Sequence, residues 1–340
     1  MTPDSATIPP HVQLIQMGTA HWVSRILHVA AKLKLADLLA AGPQTAAELA
    51  AATGTHAPSL YRLLRALASV GVFAEDGANR FAQTPLGEAL RTGAPGSARA
   101  AILTLAGEWV SRSWDNLLYS VGTGKTGSEK ALGMPIFDWM AQHPEEVALF
   151  SETMVGFHGM EAAAVAAGYD FSGLGTIVDV GGATGNMLIN ILSRHKSPRG
   201  ILFDMPHVVT GAAQPIRAAG LADRLTVASG SFFDAVPSGG DAYLLSHVIH
   251  DWSEPQCLTI LGNVRRAMNP GARVLLIEMV LPPGNAPHPG KMLDMMMLVG
   301  PGGQERTEPE YADLLAKAGF RLSRVVPTES AASVVEGFAV

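Results

Sequence analysis

The sequence predicts an α/β fold: a Rossmann-like, mostly parallel sheet with an antiparallel edge strand, preceded by a helical segment of winged-helix type. Three observations lead there. From Tyr169 onward, apolar runs of strand length alternate with helix-period segments, the pattern of a parallel sheet covered on both faces. Upstream, small-residue helical patterns run into two short apolar stretches that flank Asp76-Gly77. Near the start of the alternating region, Thr176 to Asn186 (TIVDVGGATGN) joins a β-branched run to a glycine turn and the opening of a helix.

Composition sets outer bounds. The 340 residues are 48% hydrophobic and 16% charged, with a mean hydropathy of +0.21, enough apolar content for a sizeable core over about two domains. A net charge of −6 and an isoelectric point near 6.0 argue against a nucleic-acid footprint or an anionic-membrane surface. Cys257 is the single cysteine, so the chain has no internal disulfide and no cysteine-based zinc site, and a reducing cytoplasm fits. The start, MTPDSATIPP, lacks the basic region and apolar core of a signal peptide. No run of about 18 apolar residues predicts a membrane span.

In chain order, residues 1–10 are proline-rich and expected to be loose. From His11 to Ala41 apolar residues recur at helical spacing: Leu14, Met17, Trp22, Ile26, Val29, Leu33 and Leu38. Thr45-x-x-Glu48 is a capping box, Gly54 separates two helices, and Leu60 to Val70 is amphipathic. Val72 to Ala74 and Arg80 to Gln83 then read as a hairpin, which completes a winged-helix pattern. That pattern raises DNA binding, but its second helix, Pro58 to Ser69, carries only Arg62 and Arg65 as basic residues. No nucleic-acid partner is expected.

A boundary falls near Ala94 to Arg99, giving residues 1–105 as a first domain and 106–340 as a second. Residues 106–168 read as helices broken at Gly122 to Gly127 (GTGKTG) and at Gly133 to Pro135. GTGKTG has no apolar strand before it and the wrong spacing for a phosphate loop. Strands are expected at Ile177 to Val180, Gly200 to Phe203, Leu225 to Ser229, Ala242 to Val248 and Arg273 to Met279, with helices at Met187 to Arg194 and Pro206 to Ala219. Arg321 to Val326 and Ser333 to Ala339 close the chain as a strand pair. Ligands of such sheets lie at the carboxyl ends of the strands, where Asp179, Asp204, Ser231, Ser246, His250 and Glu278 fall.

The glycine turn narrows the ligand. A dinucleotide fingerprint started at Gly181 would need glycines where Ala183 and Asn186 stand, and no Lys follows Gly185 as a phosphate loop requires. What remains is Asp179-x-Gly181-x-x-x-Gly185, with an acid at the strand end expected to face the ligand. An acid there suits a cation and repels phosphates. S-adenosylmethionine, with an ammonium, a sulfonium and no phosphate, meets that description. Asp204 ends the next strand, where a carboxylate can accept from ribose hydroxyls or cap a helix starting at Pro206. His247 precedes His250 by three positions, which in a strand puts the two on opposite faces and speaks against a metal pair.

At this point the chain resembles the S-adenosylmethionine-dependent O-methyltransferases of the caffeic acid, hydroxyindole and bacterial polyketide type. VDVGGATG is similar to the family's VDVGGGTG, FDMPHV (Phe203 to Val208) to FDLPHV, and GSFFDAVP (Gly230 to Pro237) to GDMF. HDW (His250 to Trp252), LLIEMVLP (Leu275 to Pro282) and GGQERTEPEY (Gly302 to Tyr311) follow in the family's order, so the resemblance runs from about Leu14 to the end. It implies a homodimer whose N-terminal domain is the dimerisation domain. It implies S-adenosylmethionine held by Asp179, Gly181, Gly182, Gly185, Asp204, Met205, Ser231, Phe232, Ser246 and Trp252. His250 would be the general base of a metal-independent methyl transfer, flanked by Glu278 and Glu305. The acceptor would be a hydroxylated aromatic or polyketide-like small molecule of secondary metabolism, met by Met154, Phe157, His247 and Asp294. Three departures stand out: Ala183 replaces the middle glycine, Ser231 an acid, and Ser246 the Lys of plant relatives.

Overall fold

A computed structural model describes residues 8–340, with the side chains of Phe157 and His158 outside the description. Most of the segment expected to be loose, residues 1–7, therefore lies outside the described residues. Pro10 already opens a helix, at a first-turn position where its missing N–H costs nothing.

The chain forms two compact units, one of Met1–Ser111 with Met140–Phe157 and one of Arg112–Trp139 with His158–Val340. This differs from a single division at residue 105. Residues 140–157 belong with the first unit, where the buried hydroxyls of Thr104 and Thr153 hydrogen-bond at 2.9 Å.

In the first unit the apolar run after residue 10 is three helices: α1 (Pro10–Thr19), α2 (His21–Lys32) and α3 (Leu35–Leu39). Lys34, left-handed at φ 54°, separates the last two. α4 (Ala46–Thr53) is opened by the expected capping box: the Thr45 hydroxyl accepts from the Glu48 N–H, and the Glu48 carboxylate accepts from the Thr45 N–H at 2.7 Å. Gly54, at φ 67°, ends it. α5 (Ala57–Ser69) buries Leu60, Leu64 and Leu67 in the unit's core with Phe73 and Phe81. β1 (Gln44–Thr45), β2 (Phe73–Glu75) and β3 (Arg80–Gln83) pair antiparallel in the order β1-β3-β2. Leu14, Met17 and Trp22 are 69%, 73% and 62% exposed, so their stripe does not serve this chain's own core.

The second unit is built on seven strands: β4 (Thr176–Val180), β5 (Arg199–Asp204), β6 (Leu225–Ser229), β7 (Gly240–Ser246), β8 (Met268–Glu278), β11 (Phe320–Pro327) and β12 (Ser333–Ala339). The short β9 (Val280–Leu281) and β10 (Arg306–Thr307) pair with each other in parallel. The seven run in the order β11-β12-β8-β7-β4-β5-β6, parallel except at β12, which is antiparallel to both its neighbours. Alternation of side chains along β4 splits the core in two. Ile177 packs with Leu188, Ile191 and Leu192 on one face, while Val178 and Val180 pack with Ile260, Leu261 and Leu314 on the other.

Two differences from the expected elements shape the site. β7 stops at Ser246 rather than Val248, because His247 turns left-handed at φ 51° and a 3-10 turn, Ile249–Asp251, follows. The helix expected from Pro206 to Ala219 is a 3-10 turn at Val209–Gly211 and a short helix at Ala213–Ala218. Val208, Val209 and Thr210 are β-branched and lead into Gly211, a poor helix-forming run.

Leu188→Ala, in the fully buried cluster beneath the glycine turn, is expected to destabilise the protein by about 2–5 kcal/mol. Val227→Ala, on the edge strand β6 and 44% exposed, is expected to stay within about 0.5 kcal/mol. Urea unfolding midpoints at unchanged slope measure both.

Candidate active site

The ends of β4, β5, β7 and β8 assemble the site. At the end of β4, Gly181 (φ 76°) and Gly185 (φ 86°) adopt conformations that side chains resist. Gly182 is required for space: a β-carbon there would lie 2.5 Å from Asp179 Oδ2 and 2.5 Å from Leu202 Cδ1. Ala183 also takes the left-handed region, at φ 50°, a strain of about 1–2 kcal/mol that a glycine would not carry.

Asp204 ties this turn to β5. Its Oδ2 accepts from the Ala183 N–H at 2.9 Å and its Oδ1 from the Met205 N–H at 2.7 Å, so it clamps two backbone segments instead of capping a helix at Pro206. Each oxygen keeps a second lone pair for a ligand hydroxyl. Asp179 differs from the ligand-facing acid its position predicted. It shares a strand face with Ile177 and is fully buried beneath Gly182, with no hydrogen-bond partner on either oxygen among the described residues. Burial, reinforced by the Asp204 carboxylate, pushes it up to about 7. A glycine cradle, a clamped carboxylate and a buried unsatisfied acid fit a sulfonium and ammonium ligand and disfavour a polyphosphate.

Beside the cradle lies an aromatic wall. Phe232, Phe233 and Trp252 pack edge-to-face with ring centroids 4.8–5.9 Å apart, and Phe137 lies 5.3 Å from Trp252. A β-carbon at Gly181 would lie 2.8 Å from Val248 Cγ2 and 3.8 Å from the Phe232 ring, so the wall borders the turn. Flat apolar rings at the mouth of a glycine turn suit adenine. The Ser231 hydroxyl accepts from the Phe233 N–H at 3.2 Å and so shapes this wall from behind. Ser246 is half-buried at the tip of β7, and Met205 is 40% exposed after β5.

The second cluster centres on His250, buried in the 3-10 turn. Its Nδ1 lies 2.7 Å from Glu305 Oε1 and 3.5 Å from Glu278 Oε2, and its Nε2 lies 3.6 Å from Asp251 Oδ1. Glu278 holds the turn itself, with Oε1 accepting from the N–H groups of Ile249 (3.0 Å) and His250 (3.3 Å). Asp294 accepts from the Glu305 N–H at 2.9 Å and so fixes the loop that delivers Glu305. Gly303 makes that delivery possible, since a β-carbon there would fall 1.9 Å from the His250 carbonyl oxygen. Burial drives Glu305 up to about 7, with His247 the main influence pulling it back, and it drives Glu278 well above its usual range.

The left-handed turn at His247 corrects the expectation that it faces away from His250. The two ring centroids are 5.1 Å apart, and His247, His250 and Glu278 bring ligand-type atoms within 4.8 Å of one another. His247 Nε2 lies 2.7 Å from Glu161 Oε1. Glu161 was missed in the sequence, although a lone acid opening the alanine-rich helix Glu161–Gly168 was a visible signal. Arg306 was missed too: it is buried, with Nη1 donating to the Ile249 carbonyl at 3.3 Å. Met154 is half-buried in the first compact unit, and the Phe157 side chain lies outside the described residues.

Comparisons with known proteins agree with this geometry. Residues 114–321 match a family described as the O-methyltransferase domain, and residues 15–93 match the O-methyltransferase dimerisation domain. A phenazine O-methyltransferase of Lysobacter antibioticus is 44% identical over 332 residues, 98% of this chain and 97% of that protein. An 8-amino-8-demethylriboflavin N,N-dimethyltransferase of Streptomyces davaonensis is 36% identical over 95% of this chain and 94% of that one. A solved O-methyltransferase from neocarzinostatin biosynthesis, in complex with S-adenosylmethionine and 2-hydroxy-5-methyl naphthoic acid, superposes with a TM-score of 0.83 at 34% identity, covering 94% of this chain and 96% of that one.

Asp179 gives a stability test. A carboxyl raised from 3.8 to about 7 in the folded state contributes stability that is present below the unfolded value and is lost as pH rises through the folded one. Asp179→Asn is therefore expected to raise the melting temperature of the cofactor-free protein at pH 8, by the equivalent of at most about 4 kcal/mol, and to change little near pH 4. Calorimetry at the two pH values measures it.

Proposed function

Because the chain belongs to the S-adenosylmethionine-dependent O-methyltransferase family, we propose that it moves the cofactor's methyl group to a hydroxyl of an aromatic or polyketide-like secondary metabolite, with His250 as general base. The observation that carries this reading is the 2.7 Å contact between His250 Nδ1 and Glu305. An ionised carboxylate on Nδ1 keeps the proton there and leaves the Nε2 lone pair to accept one from the substrate.

A free phenol, with a pKa near 10, is mostly protonated at neutral pH. Removing that proton as the oxygen attacks typically contributes about 10²- to 10⁴-fold. When bound, the cofactor supplies an electrophilic methyl group on a sulfonium. The glycine cradle and Asp204 would hold it by its sugar and amino acid ends, and Phe232 and Trp252 would flank its adenine. Holding the hydroxyl beside the methyl group supplies the rest, as effective molarities of about 10⁵–10⁸ M allow. Relatives that methylate nitrogen keep the same fold, and dependence on the base separates the two chemistries. A neutral amine attacks with its own lone pair, whereas a phenol must lose a proton. No metal takes part in the proposed transfer, in which His250, with Glu305 Oε1 2.7 Å from its Nδ1, accepts the proton.

The exposed stripe of Leu14, Met17 and Trp22 supports a homodimer through residues 1–105, with residues 106–340 carrying cofactor and acceptor sites. The first domain follows a winged-helix plan, but Arg62 and Arg65 are the only basic residues of its second helix, and with an acidic chain they support no nucleic-acid role. No helix among the described residues is long and apolar enough to cross a membrane, and the single, buried Cys257 suits a reducing cytoplasm.

Labelled S-adenosylmethionine and a panel of phenols and hydroxynaphthoates test the reading. His250→Ala is expected to lower kcat about 10²- to 10⁴-fold while cofactor affinity by calorimetry stays within a few-fold. Equal transfer by both proteins would remove His250 as the base. In sedimentation, Trp22→Asp with Met17→Asp is expected to shift a dimer toward monomer, and an unchanged dimer would reject the stripe as the interface.

A further inference from the structure

The base has two carboxylates, and behind them stands a second imidazole–acid couple that methyl transfer as described does not use. His247 Nε2 lies 2.7 Å from Glu161 Oε1 and its Nδ1 lies 3.9 Å from Glu278 Oε2, with the His247 and Glu161 side chains 11% and 6% exposed. We propose that His247, clamped by Glu161, is a positioning residue that acts through Glu305: its imidazolium favours the ionised form of that carboxylate. The proposal rests on the reading of His250 as the base.

Three observations support it. Carboxylates on both sides of a buried imidazole favour its charged form. The backbone at His247 is left-handed, a conformation that a β-carbon disfavours and that glycine or asparagine would adopt more readily, so a strained turn is spent on aiming this ring at the cluster. Among the described residues the cluster also carries more acids than cations. Glu161 faces it from the helix Glu161–Gly168, Glu278 from β8, Asp251 and Cys257 from the turn and helix after β7, and Asp294 from the helix Pro289–Val299. Glu310 and Tyr311 face it from the helix Glu308–Lys317, against His288 and the Arg306 guanidinium on the cationic side.

The consequence for catalysis runs through the tautomer. An ionised Glu305 accepts from Nδ1–H and leaves Nε2 bare. A protonated Glu305 donates to Nδ1 and forces the imidazole proton onto Nε2, where it blocks the base. His247 therefore decides how far down in pH the base stays usable.

The test is a titration of the full-length protein labelled with ¹³C at the glutamate carboxyls, the Glu305 resonance being assigned with Glu305→Gln. In His247→Gln the Glu305 titration is expected to move up by about one pH unit, and Glu161→Gln is expected to move it in the same direction. With the fastest acceptor of the phenol and hydroxynaphthoate panel, the low-pH limb of kcat is expected to move up by the same amount, with KM for the cofactor unchanged. An unmoved Glu305 resonance in both variants, with a loss of kcat equal at all pH values, overturns the proposal and leaves a packing role. A shifted resonance in a protein that methylates none of the panel keeps the electrostatic couple and removes the proposed reaction instead.

Discussion

The site depends on one buried carboxylate. Glu278 ends β8, and its Oε1 accepts the N–H groups of Ile249 and His250, the backbone that β7 leaves unpaired when it breaks off at Ser246. Buried N–H groups without partners are expensive, so without this carboxylate the chain would gain by continuing the strand. With it, the chain turns at His247, and two imidazoles that a strand would set on opposite faces come to the same end of the sheet. Its second oxygen then lies toward both rings, at 3.5 and 3.9 Å.

Gathering so many acids in an apolar interior sets the electrostatic character of the molecule. Burial raises Asp179 beneath the glycine turn and Glu278 and Glu305 around His250, and charges that would repel in a low-dielectric site are moderated by Arg306 and the histidines. Asp179 and Glu305 are held near 7, where a small change in nearby charge switches their protonation. Asp204 stands apart, since both its oxygens take backbone N–H bonds and it shapes the turn as well as offering lone pairs.

The sheet was legible in the sequence because buried parallel strands are continuous β-branched runs, and β4, β5, β6 and β12 fall within a residue or so of their expected bounds. The capping box at Thr45 was equally plain, as its hydrogen bonds are local. His250, Glu278 and Glu305 were found through motifs and strand-end positions. What stayed hidden depends on distant or irregular backbone. The left-handed turn at His247 has no glycine to announce it, Glu161 meets His247 across 86 residues, and Gly303 shows its purpose only against the His250 carbonyl. The burial of Asp179 follows from strand alternation, which its place at a strand end obscured.

The claim on which the account turns is that His250 presents a bare Nε2 because an ionised Glu305 holds the proton on Nδ1. Nitrogen-15 NMR of the histidine rings at pH 8, with His250 assigned by comparison with His250→Ala, reads that directly. The account predicts a neutral ring protonated at Nδ1, with the Nε2 resonance in the unprotonated range. A neutral His250 carrying its proton on Nε2 would contradict it.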